Sequence, residues 1–200
     1  LERDHINDPV SHPQIKKSFS ERYELGEVLG EGGVGRVISA LDKNVGRQVA
    51  IKFIKADKVS PIALRYFLKE AKITGQLQHP HIVPLYELGM TEENEIYYVM
   101  KLVEGLTLDE ILERIREGDE EIIQRYTLPY LLRIYHRICE AVAYAHARGV
   151  VHLDLKPDNV LVGFYGDVQV TDWGLARLRK RDEGVDHTNL VELEEDIDFI

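Results

Sequence analysis

The sequence predicts an α+β fold, with a strand-rich first part around one main helix and a largely helical second part. Three observations carry that prediction. Apolar, β-branched runs at 23–29, 36–42, 48–54 and 96–102, with another beginning near Leu85, are separated by glycines and turn formers. A capped helical pattern interrupts them after Ser60. Beyond residue 103, helical periodicity covers 108–118 and 128–148 and then yields to a hairpin pattern over 160–171.

The first two strands flank Leu29-Gly30-Glu31-Gly32-Gly33-Val34-Gly35-Arg36-Val37. This G-x-G-x-x-G-x-V spacing removes β-carbons where backbone amides can approach phosphates. Dinucleotide-binding folds share the spacing but need a helix after the glycines. Here a strand follows, so the glycines form a hairpin lid. The third strand sets Lys52 among apolar residues, where an unpaired buried ammonium is costly. Its counter-charge is expected in the next helix; the alternative is a lysine snorkelling at a sheet edge. That helix opens on Ser60-Pro61, a cap followed by proline at the first helical position. Leu64, Phe67, Leu68 and Ala71 mark its packed face, and Glu70 sits beside them.

His79 and His81 have no third ligand placed to complete a metal site and read as packing residues. Glu93 and Glu95 read as the turn before the next strand. Thr107-Leu108-Asp109-Glu110 is a capping box that starts a short helix ending near Gly118, and the acidic stretch after it reads as a loop. Leu131, Ile134, Tyr135, Ile138, Val142 and Ala145 form the stripe of a buried helix that Gly149 stops. Cys139 lies on that stripe and reads as a small buried apolar residue.

The chemistry concentrates in Val151-His152-Leu153-Asp154-Leu155-Lys156-Pro157-Asp158-Asn159 and in Asp172-Trp173-Gly174. A lone aspartate in a turn is usually a turn former. Carboxylates, an ammonium and an amide in this order are instead what metal-assisted phosphoryl transfer requires. These motifs resemble those of the eukaryotic-type (Hanks-type) Ser/Thr protein kinases. The family's H-R-D-L-K-x-x-N stands here as H-L-D-L-K-P-D-N and its D-F-G as D-W-G. The K-P-D-N continuation resembles Ser/Thr rather than Tyr kinases, and D-W-G-L-A resembles bacterial members.

The resemblance implies a protein-kinase-like two-lobe fold. An irregular leader over 1–18 would precede an N-lobe at 19–102, with a complete five-stranded antiparallel sheet and one main helix. A partial helical C-lobe would occupy 103–200. ATP and Mg²⁺ are the implied cofactors. Asp154 would be the base that orients the substrate hydroxyl, Lys156 would neutralise phosphate charge, and Asn159 and Asp172 would hold Mg²⁺. Lys52, held by Glu70, would bind the nucleotide's phosphates beneath a lid of Leu29, Gly30, Gly32, Gly33 and Gly35. Met100 would guard the back of the adenine pocket, the backbone of Lys101 to Val103 would bond the adenine edge, and Val37, Ala50 and Leu161 would sandwich the ring.

Composition agrees with this reading. The chain has 200 residues, 44% hydrophobic and 30% charged, enough for a sizeable core. Its single cysteine excludes an internal disulfide framework and points to a reducing, cytoplasmic setting. No run is long and apolar enough to span a bilayer, so no membrane contact is expected within this segment. A net charge of -10 disfavours nucleic acid as a partner; the resemblance implies a protein substrate. The motif set stops early: 28 residues follow Asp172, the last ten hold five acids, and the family's A-P-E motif is absent. A C-terminally truncated kinase domain is therefore expected.

Two alternatives stay open. One is a pseudokinase or nucleotide-binding scaffold, for which Leu153 and the truncation speak; the other is a small-molecule kinase of related fold, against which the protein-kinase signatures argue. Leu153 also replaces the arginine whose fork receives an activation-loop phosphate in many kinases. Thr188 is the only Ser or Thr after Asp172. Activity is accordingly expected not to need phospho-Thr188: Thr188→Val should transfer phosphate at the parental rate, and an inactive Thr188→Val would refute this.

Overall fold

The computed structural model of the chain describes residues 18–32, 35–54 and 60–178. Gly33, Thr188 and the expected leader up to residue 17 lie outside the described residues. A short helix, α1 (Phe19–Arg22), leads into β1 (Tyr23–Glu31), β2 (Gly35–Asp42) and β3 (Arg47–Ile54). Helix α2 (Pro61–Gln76) precedes β4 (Leu85–Met90) and β5 (Ile96–Lys101). These strands make the expected five-stranded antiparallel sheet, in the order β1-β2-β3-β5-β4.

Strand alternation gives the sheet two apolar faces. Val49, Ile51 and Phe53 of β3 pack with Tyr23, Ile38, Tyr97 and Val99, and Phe19 of α1 covers this face with its ring centroid 4.6 Å from that of Tyr97. Ile54, on the other face, packs with Phe67 and Ala71 of α2 and with Tyr98. Lys52 shares this second face, directly opposite Val37 on one side and Tyr98 on the other. The Ser60 side chain caps α2 by accepting the Ala63 N–H at 3.1 Å.

The chain after α2 is stitched to a distant hairpin, β8 (Val160–Gly163) and β9 (Val168–Val170). Val83 N–H donates to Val170 O at 3.2 Å, Val170 N–H to His81 O at 2.9 Å, and Gln169 Nε2 to Pro80 O at 2.9 Å. Both histidines pack, as their sequence suggests. His79 stacks on Tyr144, and burial together with His81 pulls its pKa below the ordinary value; His81 Nδ1 lies 3.2 Å from Val168 O.

The second lobe adds β6 (Gly105–Thr107), α3 (Leu108–Glu117), α4 (Glu120–Arg125), α5 (Leu128–Ala147), β7 (Val150–Val151) and β10 (Arg177–Leu178). The capping box opens α3 as predicted, with Glu110 N–H donating to Thr107 Oγ1 at 3.1 Å and Thr107 N–H to Glu110 Oε2 at 2.7 Å. Its core joins Ile73, Leu77 and Ile82 to Ile111, Ile134, Ala141 and Trp173.

Three local expectations are corrected. The acidic stretch is helix α4, not a loop: Asp119 accepts the Ile122 N–H at 3.2 Å, and burial of Ile122 docks the turn. Residues 105–107 form β6 beside β8, because a β-carbon at Gly105 would overlap the Val162 carbonyl. Cys139 is exposed, and so is Tyr135 at 65%. The buried stripe of α5 centres on Ile134, Ile138, Ala141 and Ala145, and Cys139 lies one residue, or about 100°, beyond Ile138. Among the described residues no helix is long and apolar enough to cross a membrane.

Asp42, fully buried at the β2–β3 turn, accepts Arg22 Nη2 at 3.1 Å and the Asn44 N–H at 3.1 Å. Burial alone would raise its pKa, but the Arg22 bond, the Asn44 N–H and the charges of Arg22 and Arg47 outweigh it and hold the carboxyl below its usual value. Such a group adds stability that is complete above the unfolded-state pKa of about 3.9 and is lost as pH falls through the lower folded value. Asp42→Asn should therefore cost about 2–3 kcal/mol at neutral pH, somewhat under the range for breaking a buried pair because Arg22 stays partly hydrated. It should also flatten the acid limb of stability, as urea unfolding across pH would measure.

Candidate active site

Lys52 and Glu70 meet where β3 faces α2. Lys52 Nζ donates to Glu70 Oε1 at 2.7 Å and to Oε2 at 2.9 Å. Tyr98 completes the pair by donating its hydroxyl to Glu70 Oε1 at 2.7 Å. Burial, the charge of Glu70 and this hydrogen bond push the Tyr98 pKa well up, so the phenol keeps its proton and donates. Nothing in the sequence pattern singled out Tyr98, since Tyr97 beside it is equally aromatic. Only the register of β5 puts Tyr98 across from Lys52.

The glycine turn closes with Gly32 N–H donating to Gly35 O at 2.9 Å. A β-carbon on Gly30 would meet nothing within 4 Å, whereas one on Gly35 would come within 2.7 Å of the Phe53 carbonyl. Gly30 thus leaves open space over the sheet, and Gly35 lets β2 lie close against β3. Leu29, at the far end of β1, is half exposed. Val37, Ala50, Lys52 and Met100 fall on one sheet face, with Ala50 directly opposite Met100. Leu161 belongs to the other sheet, paired with Thr107 and Gln169. Lys101 N–H is taken by Pro84 O at 3.0 Å, while neither backbone group of Val103 has a partner among the described residues. A salt bridge from Lys101 Nζ to Asp167 Oδ2, 2.7 Å long, ties the end of β5 to the β8–β9 turn.

The second group of site residues is laced around His152, which is 3% exposed. Its Nδ1 accepts the Asp154 N–H at 3.3 Å, so Nε2 carries the ring proton and donates to Thr171 O at 2.9 Å. Asn159 Nδ2 donates to Asp154 O at 2.8 Å and to Asp154 Oδ2 at 3.1 Å, and Thr171 N–H donates to Asn159 O at 2.9 Å. Lys156 Nζ stands 3.5 Å from Asp154 Oδ2. Among the described residues all side-chain contacts of Asp154 therefore fall on Oδ2, which leaves Oδ1 for another donor. Thr171 was not foreseen, because its contribution is through main-chain atoms. Leu153 and Asp172 hold the left-handed conformation at φ 65° and 59°, which is strained for residues with a β-carbon. Trp173 is fully buried and packs against His152, with 4.4 Å between ring centroids.

The two groups adjoin at Gly174. A β-carbon there would lie 3.3 Å from Asp172 Oδ1 and 3.5 Å from Glu70 Oε2. The structure thus brings Asp172 and Glu70, with Lys52 bound to it, to the neighbourhood of this glycine, and gathers Asp154, Lys156 and Asn159 around the loop that Thr171 joins to Asp172.

The model of the protein kinase domain matches residues 23–192. This chain belongs to the protein kinase family. The kinase domain is 42% identical over 163 residues to a protein named serine/threonine-protein kinase PknD from Protochlamydia amoebophila, covering 79% of this chain and 16% of that one. It is 38% identical over 160 residues to the protein of that name from Chlamydia pneumoniae, covering 78% and 17%. Over 180 residues it is 38% identical to that from Chlamydia trachomatis serovar D, covering 88% and 18%. These are bacterial proteins, as the D-W-G-L-A run suggested. The kinase chain spans less than a fifth of the length of the curated relatives it matches.

Tyr98→Phe should lower stability by about 1 kcal/mol, the worth of one buried hydrogen bond, while the Lys52–Glu70 pair persists. Chemical unfolding of both proteins measures it; an unchanged midpoint would mean that the hydroxyl adds nothing to holding Glu70.

Proposed function

We propose that the kinase domain transfers the γ-phosphoryl group of ATP to serine and threonine hydroxyls of protein substrates, with a divalent metal, Mg²⁺, as cofactor. The observation that carries the reading is the joining of Asp154, Asn159 and Asp172 through Thr171. It couples a carboxylate, one of whose oxygens has no partner among the described residues, to two side chains suited to bind a metal. The donor set fits Mg²⁺, a hard cation that takes oxygen ligands. With its amide nitrogen spent on Asp154, Asn159 has Oδ1 to offer beside the carboxylate of Asp172. The open space at Gly30 suits a lid whose backbone amides face phosphate oxygens.

Bound ATP supplies the phosphoryl group, and the chain's residues position and neutralise. Lys52, held by Glu70 and Tyr98, offers a fixed positive charge to phosphate oxygens. Asp154 accepts the acceptor hydroxyl's hydrogen bond at Oδ1 and fixes its direction, and Lys156 offsets charge beside it. The N–H and carbonyl of Val103, without a partner among the described residues, are suited to the adenine edge, with Val37, Ala50 and Leu161 as ring contacts and Met100 behind them. Leu153 offers no guanidinium to a phosphorylated loop, in keeping with a catalytic loop held by His152 and Asn159. ATP as co-substrate and the single exposed thiol suit a cytoplasmic setting.

The test is transfer of labelled phosphate from Mg-ATP to a protein substrate. Asp154→Asn should lower it by about 10²- to 10⁴-fold, the usual worth of a positioned base, with nucleotide affinity retained. Binding of Mg-ATP without transfer by the unmodified protein would overturn the proposal in favour of a scaffold. Gly174→Ala should lower the rate modestly, because its methyl group would stand 3.3 Å from Asp172 Oδ1 and oblige that carboxylate to shift by a few tenths of an ångström, whereas 3.5 Å from Glu70 Oε2 is ordinary contact; a rate equal to the parent would show that Asp172 accommodates the shift.

A further inference from the structure

The end of α4, the first turns of α5 and the β8–β9 turn enclose a cavity of about 360 Å³ that contains none of the residues discussed above as site residues. Three arginines line it, Arg125, Arg133 and Arg137, and no lining residue is acidic. Such a concentration of positive charge stands out in a chain whose net charge is -10. Among the described residues no ion pair joins any of the three to a carboxylate. Asp167, next to the cavity in sequence, is committed to Lys101.

The guanidinium groups are held in place by contacts that leave most of their donors unused. Arg125 Nη2 donates to Phe164 O at 2.7 Å, and its guanidinium carbon lies 5.5 Å from the Phe164 ring centroid. Arg137 Nη1 donates to Gly166 O. The Arg133 side chain makes no hydrogen bond to a main-chain atom among the described residues and stands over the Tyr130 ring at 5.1 Å. Helical spacing puts Tyr130, Arg133, Ile134 and Arg137 on one face of α5. The result is a set of forked donors, suited to carboxylates, beside an apolar surface of Tyr130 and half-exposed Phe164.

We propose that this cavity docks an acidic peptide segment of a partner protein, with its carboxylates on Arg125, Arg133 and Arg137 and an apolar side chain against Tyr130 and Phe164. A long polyanion is disfavoured by repulsion from the chain's net charge, whereas a short segment meets only the local field. The proposal does not depend on phosphoryl transfer.

Fluorescence anisotropy on the whole chain tests it, using a labelled peptide with glutamates around a central phenylalanine and a twin carrying glutamine instead. The glutamate peptide should bind, with an affinity that falls as salt rises, and the glutamine twin should not. Arg133→Gln should weaken binding roughly three- to tenfold, the worth of one charge-assisted contact, and Arg125→Gln with Arg133→Gln should weaken it further. Thermal melting at the parental temperature would establish that the variants remain folded, and phosphoryl transfer to a substrate without acidic segments should be unchanged. Equal binding of the two peptides, or full affinity in the folded double variant, would overturn the proposal. So would displacement by inorganic phosphate at the concentration at which the glutamate peptide itself competes, since the cavity would then be a simple anion site.

Discussion

The Lys52–Glu70 pair is the constraint on which the rest of the site depends. An ammonium and a carboxylate withdrawn from water are tolerable only when each satisfies the other and the leftover lone pairs find donors. Here Lys52 reaches both oxygens of Glu70, and the Tyr98 hydroxyl takes one of them as well. Three elements are thereby held together: β3 gives the lysine, α2 the glutamate and β5 the tyrosine. Once α2 is set against the sheet, Glu70 and Asp172 both come close to Gly174, where a β-carbon would touch Glu70 Oε2 at 3.5 Å and press on Asp172 Oδ1 at 3.3 Å.

The second group of residues is held by a different means. Leu153 and Asp172 both adopt a backbone conformation that costs of order 1–3 kcal/mol for a residue with a β-carbon. Each is flanked by hydrogen bonds that compensate: His152 joins Asp154 N–H to Thr171 O, and Asn159 spans Asp154 and Thr171. Buried Trp173 closes this arrangement from below by packing on His152. Pairing of opposite charges orders one half of the site, and a neutral hydrogen-bond lattice under backbone strain orders the other.

Much of this was legible in the sequence because it depends on local signals. Glycine spacing, the Ser60-Pro61 and Thr107 caps, the alternation in β3 and the lone lysine within it all act over a few residues, and the charge of Lys52 demanded a partner such as Glu70. The unforeseen features depend on register or on distant approach. Tyr98 differs from Tyr97 only in the face it presents, and β6 exists only because Gly105 admits Val162. Helix α4 is too short to display a period, and Cys139 was misjudged by a single step around α5. The arginine cavity joins Arg125 and Arg137 to carbonyls of the β8–β9 turn far along the chain, beyond the reach of any local pattern.

The stitching of residues 80–83 to β9 has a mechanical consequence. It fastens the chain just beyond the C-terminal end of α2 to the second lobe through main-chain and side-chain bonds, whereas among the described residues the bonds of the Ser60 cap at the other end stay within its own turn. A swing of α2 that parts Glu70 from Lys52 while these bonds stay closed pivots about its Gln76 end. The helix works as a lever with its fulcrum in one lobe and its load, the glutamate, midway along the arm.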